Sequence, residues 1–333
     1  MTRVAVLGAG SWGTAFSMVL ADAGNSVTIW GRRESVCASI NQDHENTDYL
    51  PGVRLPDPVR ASHDPQSVLD GVDVVVIAVP SQSLRENLER WAPYLAPDAL
   101  LISLMKGIEL GTTKRMSEVI AEVSGSSADR IAVLTGPNLA KEIAQRQPAA
   151  SVVACADVGQ AERFQEICHG PSFRPYTNTD VLGCELAGAT KNVIALGVGM
   201  AAGLGFGDNA RASVITRGLA ETSRLGVNLG ADPYTFAGLA GLGDLVATCS
   251  SPLSRNRTFG EQLGLGLSVE HVAAATRQVA EGVKSCQSIL ALATAHDVDM
   301  PIVEHVAAVV RGELKPVDMV RRLISRAAKS ERG

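Results

Sequence analysis

Arg3-Val4-Ala5-Val6-Leu7-Gly8-Ala9-Gly10-Ser11-Trp12-Gly13 begins as an apolar strand and ends on three spaced glycines. The pattern G-x-G-x-x-G is weak by itself in a chain with 32 glycines. Its setting gives it weight, because the run before it reads as a strand and residues 13–23 read as a helix. Gly8 permits a tight turn, Gly10 lets a pyrophosphate approach the backbone, and Gly13 lets helix and strand pack closely. Ser11 and Trp12 lie between them, where free N–H groups at a helix start meet an anion. The bland alternative is a tight turn with no ligand.

Outward from this loop, apolar runs recur at 27–30, 74–79, 100–104, 131–134 and 151–154. Several are apolar throughout, as parallel strands buried on both faces require. Helical patterns at 82–91 and 112–123 fall between them. The alternation predicts an α/β Rossmann-like doubly wound sheet. Residues 41–63, with Pro51, Pro56 and Pro58, read as an irregular excursion. After about residue 178 the texture changes. Segments 181–205, 211–225, 261–265, 269–278, 284–296, 302–311 and 316–327 favour helix. The expected organisation is a nucleotide-binding unit over 1–180 and an all-α C-terminal domain over 181–330.

Composition narrows the function. A chain of 333 residues is too long for one ordinary core at roughly 150 residues per domain. The net charge of −5 arises from 35 acids and 30 bases without long single-sign runs, which disfavours nucleic acid as a partner. The six cysteines form no C-x-x-C, and the six histidines form no metal-binding pair, so no metal site is expected. A reducing cytoplasm suits such thiols. The opening residues lack the basic flank and apolar run of a secretion signal. The longest apolar run, 193–206, has 14 residues, short of the roughly 20 needed to cross a bilayer. No membrane insertion is expected.

The end of the second strand bears on the nucleotide. NAD sites usually place an acid there for the ribose hydroxyls. This chain reads Ile29-Trp30-Gly31-Arg32-Arg33. Two guanidiniums suit a 2′-phosphate, so NADP(H) is favoured and NAD(H) stays possible. A solvated arginine pair on a loop is the alternative.

Four further stretches are distinctive: Met105-Lys106-Gly107, Thr135-Gly136-Pro137-Asn138, Lys191-Asn192, and the glycine-rich run 238–249 followed by Ser254-Arg255-Asn256. With the glycine loop, they make the chain resemble the bacterial-type NAD(P)-dependent glycerol-3-phosphate dehydrogenases over essentially its whole length. The resemblance implies hydride transfer between sn-glycerol 3-phosphate and dihydroxyacetone phosphate, and supply of glycerol 3-phosphate for phospholipids. It also implies a small phosphorylated three-carbon substrate beside the nicotinamide, and a homodimer. Ala140, Val279 and Glu281 match family positions near the nucleotide, and Arg255 matches an arginine that touches both ligands. Asn138 departs from the Ser or Thr that many members carry there.

The same residues can be weighed physically. Lys106 follows a strand directly, at the carboxyl edge where open α/β sheets bind ligands, although many such lysines are plain surface residues. Gly136 and Asn138 repeat that placement one strand later. Lys191 lies in a helix of small and apolar residues, where a cation must snorkel, pair or work. Desolvation there would lower its pKa and suit it to acid–base catalysis. Asp244 follows a glycine turn and reads as a helix cap, as a residue near Lys191 that positions the base or accepts a substrate hydroxyl, or as both. Ser254, Arg255 and Asn256 combine a hydroxyl, a planar fork and an amide, suited either to phosphate or to a polar helix start. By spacing alone Glu281 passes as a surface acid. Two rival readings remain: a related β-hydroxyacid dehydrogenase, which needs a carboxylate site, and a nucleotide sensor without catalysis, which has no need of Lys191.

Overall fold

The computed structural model describes residues 1–275, 280–326 and 330. In chain order the strands are β1 (Arg3–Leu7), β2 (Ser26–Trp30), β3 (Glu45–Asn46), β4 (Leu50–Arg54), β5 (Val59–Ser62), β6 (Val74–Ile77), β7 (Leu100–Ser103), β8 (Ile131–Thr135), β9 (Ala149–Ala154) and β10 (Phe173–Asn178). Between and beside them run α1 (Ser11–Asp22), α2 (Glu34–Asp43), α3 (Pro65–Leu69), α4 (Leu84–Trp91), α5 (Met116–Ser124), α6 (Ala140–Ala144) and α7 (Val158–Cys168). The C-terminal part contains α8 (Val181–Gly203), α9 (Asp208–Asn228), α10 (Pro233–Ala237), α11 (Asp244–Ser250), α12 (Arg255–Gly264), α13 (Val269–Ala275), α14 (Glu281–Ala295), α15 (Pro301–Val310) and α16 (Pro316–Ile324).

Eight strands form one sheet in the order β10-β9-β8-β7-β6-β1-β2-β5. Central strands such as β6, Val-Val-Val-Ile, are buried on both faces, which is why they read as unbroken apolar runs. From β1 the chain winds first towards β2 and β5, then back through β6, β7 and β8. The switch lies between β1 and β6, where doubly wound sheets open a ligand crevice. Gly8 sits there at φ 131°, and a methyl group on it would meet the carbonyl oxygen of Ala78 just beyond β6. Only glycine suits both constraints.

The structure corrects the expected layout in three places. Residues 41–63 are not an irregular excursion. They contain the antiparallel β3–β4 hairpin and β5, which joins the main sheet beside β2. In β5 only Val59 and Ala61 are buried, so this edge strand has too few apolar residues to register as a run. The sheet is also mixed, because β9 runs antiparallel to β8. Finally, α2 and α7 form from polar-rich segments that bury only a narrow stripe, Val36, Cys37 and Ile40 in the case of α2. The helical patterns at 269–278 and 316–327 extend past the described residues.

In the C-terminal half, α8 is the organising element. It is buried without interruption from Gly183 to Ala201, as a helix apolar all round must be. By length and composition it could cross a membrane, but 89% of its apolar window is buried inside the fold. Glu185 on α8 accepts hydrogen bonds from the Ser117 N–H and hydroxyl and pairs with Arg115 at 2.8 Å. This buried carboxylate ties α8 to the start of α5. The six cysteines are unpaired and buried, and burial pushes thiols such as Cys168 and Cys184 up from their ordinary pKa.

α8 and α12 cross at van der Waals contact between backbones. A methyl group on Gly199 would overlap the carbonyl oxygen of Arg257, and one on Gly203 would overlap that of Glu261. Reciprocally, Gly260 and Gly264 of α12 face the carbonyls of Leu196 and Met200. The obstacles are main-chain atoms, which cannot rotate away. Gly199→Ala is therefore expected to cost about 1–3 kcal/mol as an overpacking substitution. The check is a lower urea midpoint for the unfolding of the helical part.

Candidate active site

The carboxyl ends of β7 and β8 deliver Lys106 and Gly136 to the junction with the helical domain. Lys106 donates from Nζ to the Gly136 carbonyl at 3.0 Å and to Asp244 Oδ2 at 2.5 Å. Lys191, midway along α8, pairs with the other oxygen of the same carboxylate, Oδ1. It also donates to the Thr248 hydroxyl at 2.6 Å. Asp244 is 1% exposed and the two lysine side chains 13% and 10%. Two buried ammonium groups thus share one carboxylate, leaving an excess positive charge. Such a site favours an anion, or an oxygen on which negative charge develops.

Local sequence explains how Asp244 reaches this point. Residues Leu239–Gly243 form a π-helical turn that runs into α11, and the close approach of Gly241 to the Phe236 backbone keeps the turn tight. Asp244 becomes the first residue of α11 rather than its cap, and no side chain caps that helix start. The capping alternative is thus set aside: both carboxylate oxygens serve the lysines. Thr248, one helical turn on, also contacts Asp244 Oδ1 at 3.3 Å. The i, i+4 spacing of Asp244 and Thr248 was the available signal for this residue.

A line of amides connects this cluster to the next helices. Asn192 Nδ2 donates to the Lys106 carbonyl at 3.2 Å, and Asn256 Nδ2 donates to Asn192 Oδ1 at 2.9 Å. The Gly282 N–H then donates to Asn256 Oδ1 at 2.9 Å. Asn256 is buried and largely committed to this bridge, with one amide hydrogen left over. Ser254 caps α12 by accepting from the Arg257 N–H, while Arg255, its first helical residue, is exposed at the rim. Glu281 accepts from the Ser81 hydroxyl at 2.7 Å, joining α14 to the segment after β6. Sequence reasoning had no signal for Ser81, because the contact spans 200 positions.

Asn138 donates to the Ser151 hydroxyl at 3.0 Å, and its Oδ1 is buried with no partner among the described residues, as is the Thr135 hydroxyl beside Gly136. Ala140 starts α6 and packs against the sheet core. Val279 lies outside the described residues. The glycine loop is open: a methyl group on Gly10 would meet nothing within 4 Å, and no side chain caps α1. An uncapped helix start beside open space fits a pyrophosphate. Trp12 packs on Phe16 with its indole N–H buried and unpartnered. The Ser11 hydroxyl is taken by the Tyr49 carbonyl at 2.7 Å, leaving its N–H for a ligand. Arg33 pairs with Asp48 at 2.7 Å, whereas Arg32 is exposed and makes no ion pair among the described residues.

Comparison with known proteins follows the same division of the chain. Residues 3–161 match the family described as NAD-dependent glycerol-3-phosphate dehydrogenase N-terminus, and 180–321 match its C-terminus. A glycerol-3-phosphate dehydrogenase, NAD(P)+, of Streptomyces griseus is 62% identical over 330 residues, covering 99% of this chain and 98% of the relative. That of Thermobifida fusca is 62% identical over 333 residues, covering 100% and 99%. The crystal structure of glycerol-3-phosphate dehydrogenase from Coxiella burnetii superposes with a TM-score of 0.93 at 37% identity, covering 98% of this chain and 99% of that one.

The shared carboxylate makes a pH prediction. Burial, together with neighbouring Lys191 and against the pull of Asp244, lowers the pKa of Lys106 from its ordinary 10.5 to about 8. Below pH 8 the folded protein bears the cost of a buried charge, and the unfolded chain keeps that proton up to about 10.5. The penalty is therefore relieved as pH rises between these values. Lys106→Met is expected to raise the melting temperature near pH 7, with the gain over wild type fading towards pH 10.5. A gain that stays constant across this window would show an unshifted lysine.

Proposed function

The chain belongs to the NAD-dependent glycerol-3-phosphate dehydrogenase family, and from that premise we propose that the Lys106–Asp244–Lys191 cluster handles the proton of its reaction. The enzyme interconverts sn-glycerol 3-phosphate and dihydroxyacetone phosphate with NAD(P). When bound, the nicotinamide supplies or accepts the hydride. In the reducing direction the substrate C2 carbonyl gains the hydride at carbon and a proton at oxygen. Lys191 gives that proton. Asp244 and Thr248 hold its ammonium in place before the reaction, and Lys106 adds a second positive charge beside the oxygen that becomes an alkoxide. The observation that carries this reading is the single buried carboxylate shared by two lysines at the sheet's carboxyl edge.

At the other end of the substrate, Arg255 and the start of α12 would receive the phosphate, since a helix N-terminus and a guanidinium both favour an anion. Ser254 and Gly136 would border that seat, and Asn256, which holds Asn192, would offer it its remaining amide hydrogen. Unpartnered Asn138 Oδ1 offers an acceptor to a substrate hydroxyl. The nucleotide would lie along Gly8, Gly10, Ser11, Trp12 and Gly13, with Ala140, Val279 and Glu281 flanking it. Exposed Arg32, with no ion pair among the described residues, supports a preference for NADP(H) over NAD(H). We further place the enzyme in the cytoplasm, which suits six unpaired thiols, as a homodimer feeding phospholipid synthesis. The helical unit of 181–330 would close on the nucleotide unit of 1–180.

Three variants test these assignments. Lys191→Met keeps the aliphatic stem and should lower turnover about 10²- to 10⁴-fold, the range for a positioned acid or base. Its NADPH affinity, by fluorescence titration, and its melting temperature should hold; near-normal turnover would move the proton to Lys106. Arg255→Ala should raise the KM for dihydroxyacetone phosphate far more than that for unphosphorylated dihydroxyacetone, whereas an equal penalty on both would assign the arginine to the cofactor or the fold. Arg32→Ala should weaken NADPH selectively, by the loss of charge-assisted bonds of about 1.5–3 kcal/mol each. Equal loss for NADH would remove the 2′-phosphate assignment.

A further inference from the structure

We propose that Asp48 sets the balance between the two nicotinamide cofactors by acting as a resident counter-ion for Arg33. The proposal rests on the reading of 32–33 as the seat of the 2′-phosphate. Both arginines follow the end of β2, the place that meets the adenosine ribose in this fold. They are not equivalent. Arg33 is held on two sides, by Asp48 Oδ2 at 2.7 Å and by the Tyr49 ring, whose centroid lies 5.3 Å from the guanidinium carbon. Arg32 has no ion pair among the described residues.

Asp48 is fixed beside the cofactor loop through its neighbours. It sits in the turn between β3 and β4, and two residues of that segment reach the glycine loop. Tyr49 accepts at its carbonyl from the Ser11 hydroxyl at 2.7 Å, and Asn46 Nδ2 donates to the Ala9 carbonyl at 2.9 Å. The turn is closed by the Tyr49 N–H on Asn46 Oδ1 at 3.3 Å. A carboxylate is therefore presented, from a separate segment, at the edge where sheets of this kind ordinarily present one from the second strand itself.

The consequence is competition. A 2′-phosphate is free to take Arg32, but it must displace Asp48 to take Arg33, and it does so next to a like charge. A 2′-hydroxyl meets neither obstacle, and the Arg33–Asp48 pair stays closed beside it. Asp48 thus restrains selection of the phosphorylated cofactor and keeps the unphosphorylated one usable. Its side chain is 43% exposed and that of Arg33 47%, so the restraint is that of a solvated ion pair, modest and sensitive to salt.

The test is a binding measurement. Dissociation constants for NADPH and NADH are determined by titration calorimetry on the full chain at fixed low salt. Asp48→Asn and Asp48→Ser should each tighten NADPH about three- to tenfold, the scale of an exposed ion pair plus one removed like charge, and leave NADH within about twofold. The gain should shrink in an Arg33→Met background. An unmoved NADPH to NADH ratio, an equal gain for both cofactors, or a gain undiminished without Arg33 overturns the proposal. Arg32→Met separates the two readings: if it leaves the ratio untouched while Asp48→Asn raises it, the Arg32 assignment fails and that of Asp48 stands.

Discussion

One buried carboxylate, Asp244, balances two ammonium groups that arrive from different parts of the chain. Lys106 comes from the sheet domain and Lys191 from the core helix of the second domain, so the carboxylate also fastens the two together. Removing water from three charges is expensive, and only close pairing with further hydrogen bonds offsets it. The Gly136 carbonyl and the Thr248 hydroxyl supply those bonds. An arrangement of two cations to one anion is nonetheless incomplete. In the proposed reaction, a phosphorylated ligand with a reducible carbonyl would complete it.

Much of this was legible in the sequence, for reasons tied to particular residues. The glycine loop was readable because strand, loop and helix occur in order within twenty residues, and the central strands because burial on both faces leaves unbroken valines. Lys191 stood out as a charge in an apolar helix. The position of Lys106 followed from the strand before it. What escaped was held by long-range pairing: β5 depends on β2 for its place, the Ser81–Glu281 contact joins residues 200 apart, and the Asn192–Asn256–Gly282 bridge needs three helices at once. Asn256, suited by its sequence either to phosphate or to a polar helix start, also takes part in that bridge.

Small residues do for the helical domain what the apolar runs do for the sheet. Because Gly199 and Gly203 on α8 abut the main chain of α12, and Gly260 and Gly264 on α12 abut that of α8, the two backbones meet directly. The start of α12, with Ser254, Arg255 and Asn256, is thereby set against the stretch of α8 that holds Asn192. These four glycines are an architectural requirement of the α8–α12 crossing, beyond the role of glycine in turns.

The reversal of direction at β9 has its own consequence. Because β9 and β10 run opposite to β8, the chain leaves the sheet heading away from the cleft. α8 must then climb back, and the eleven residues from its cap at Asp180 to Lys191 span roughly 16 Å of helix. The lysine therefore arrives three turns inside the element, beyond the reach of end fraying. Had all the strands run parallel, the helix would have begun at the cleft and offered its loosest turn to the substrate. An inverted pair of strands at one edge of the sheet thus converts into mechanical stiffness at Lys191.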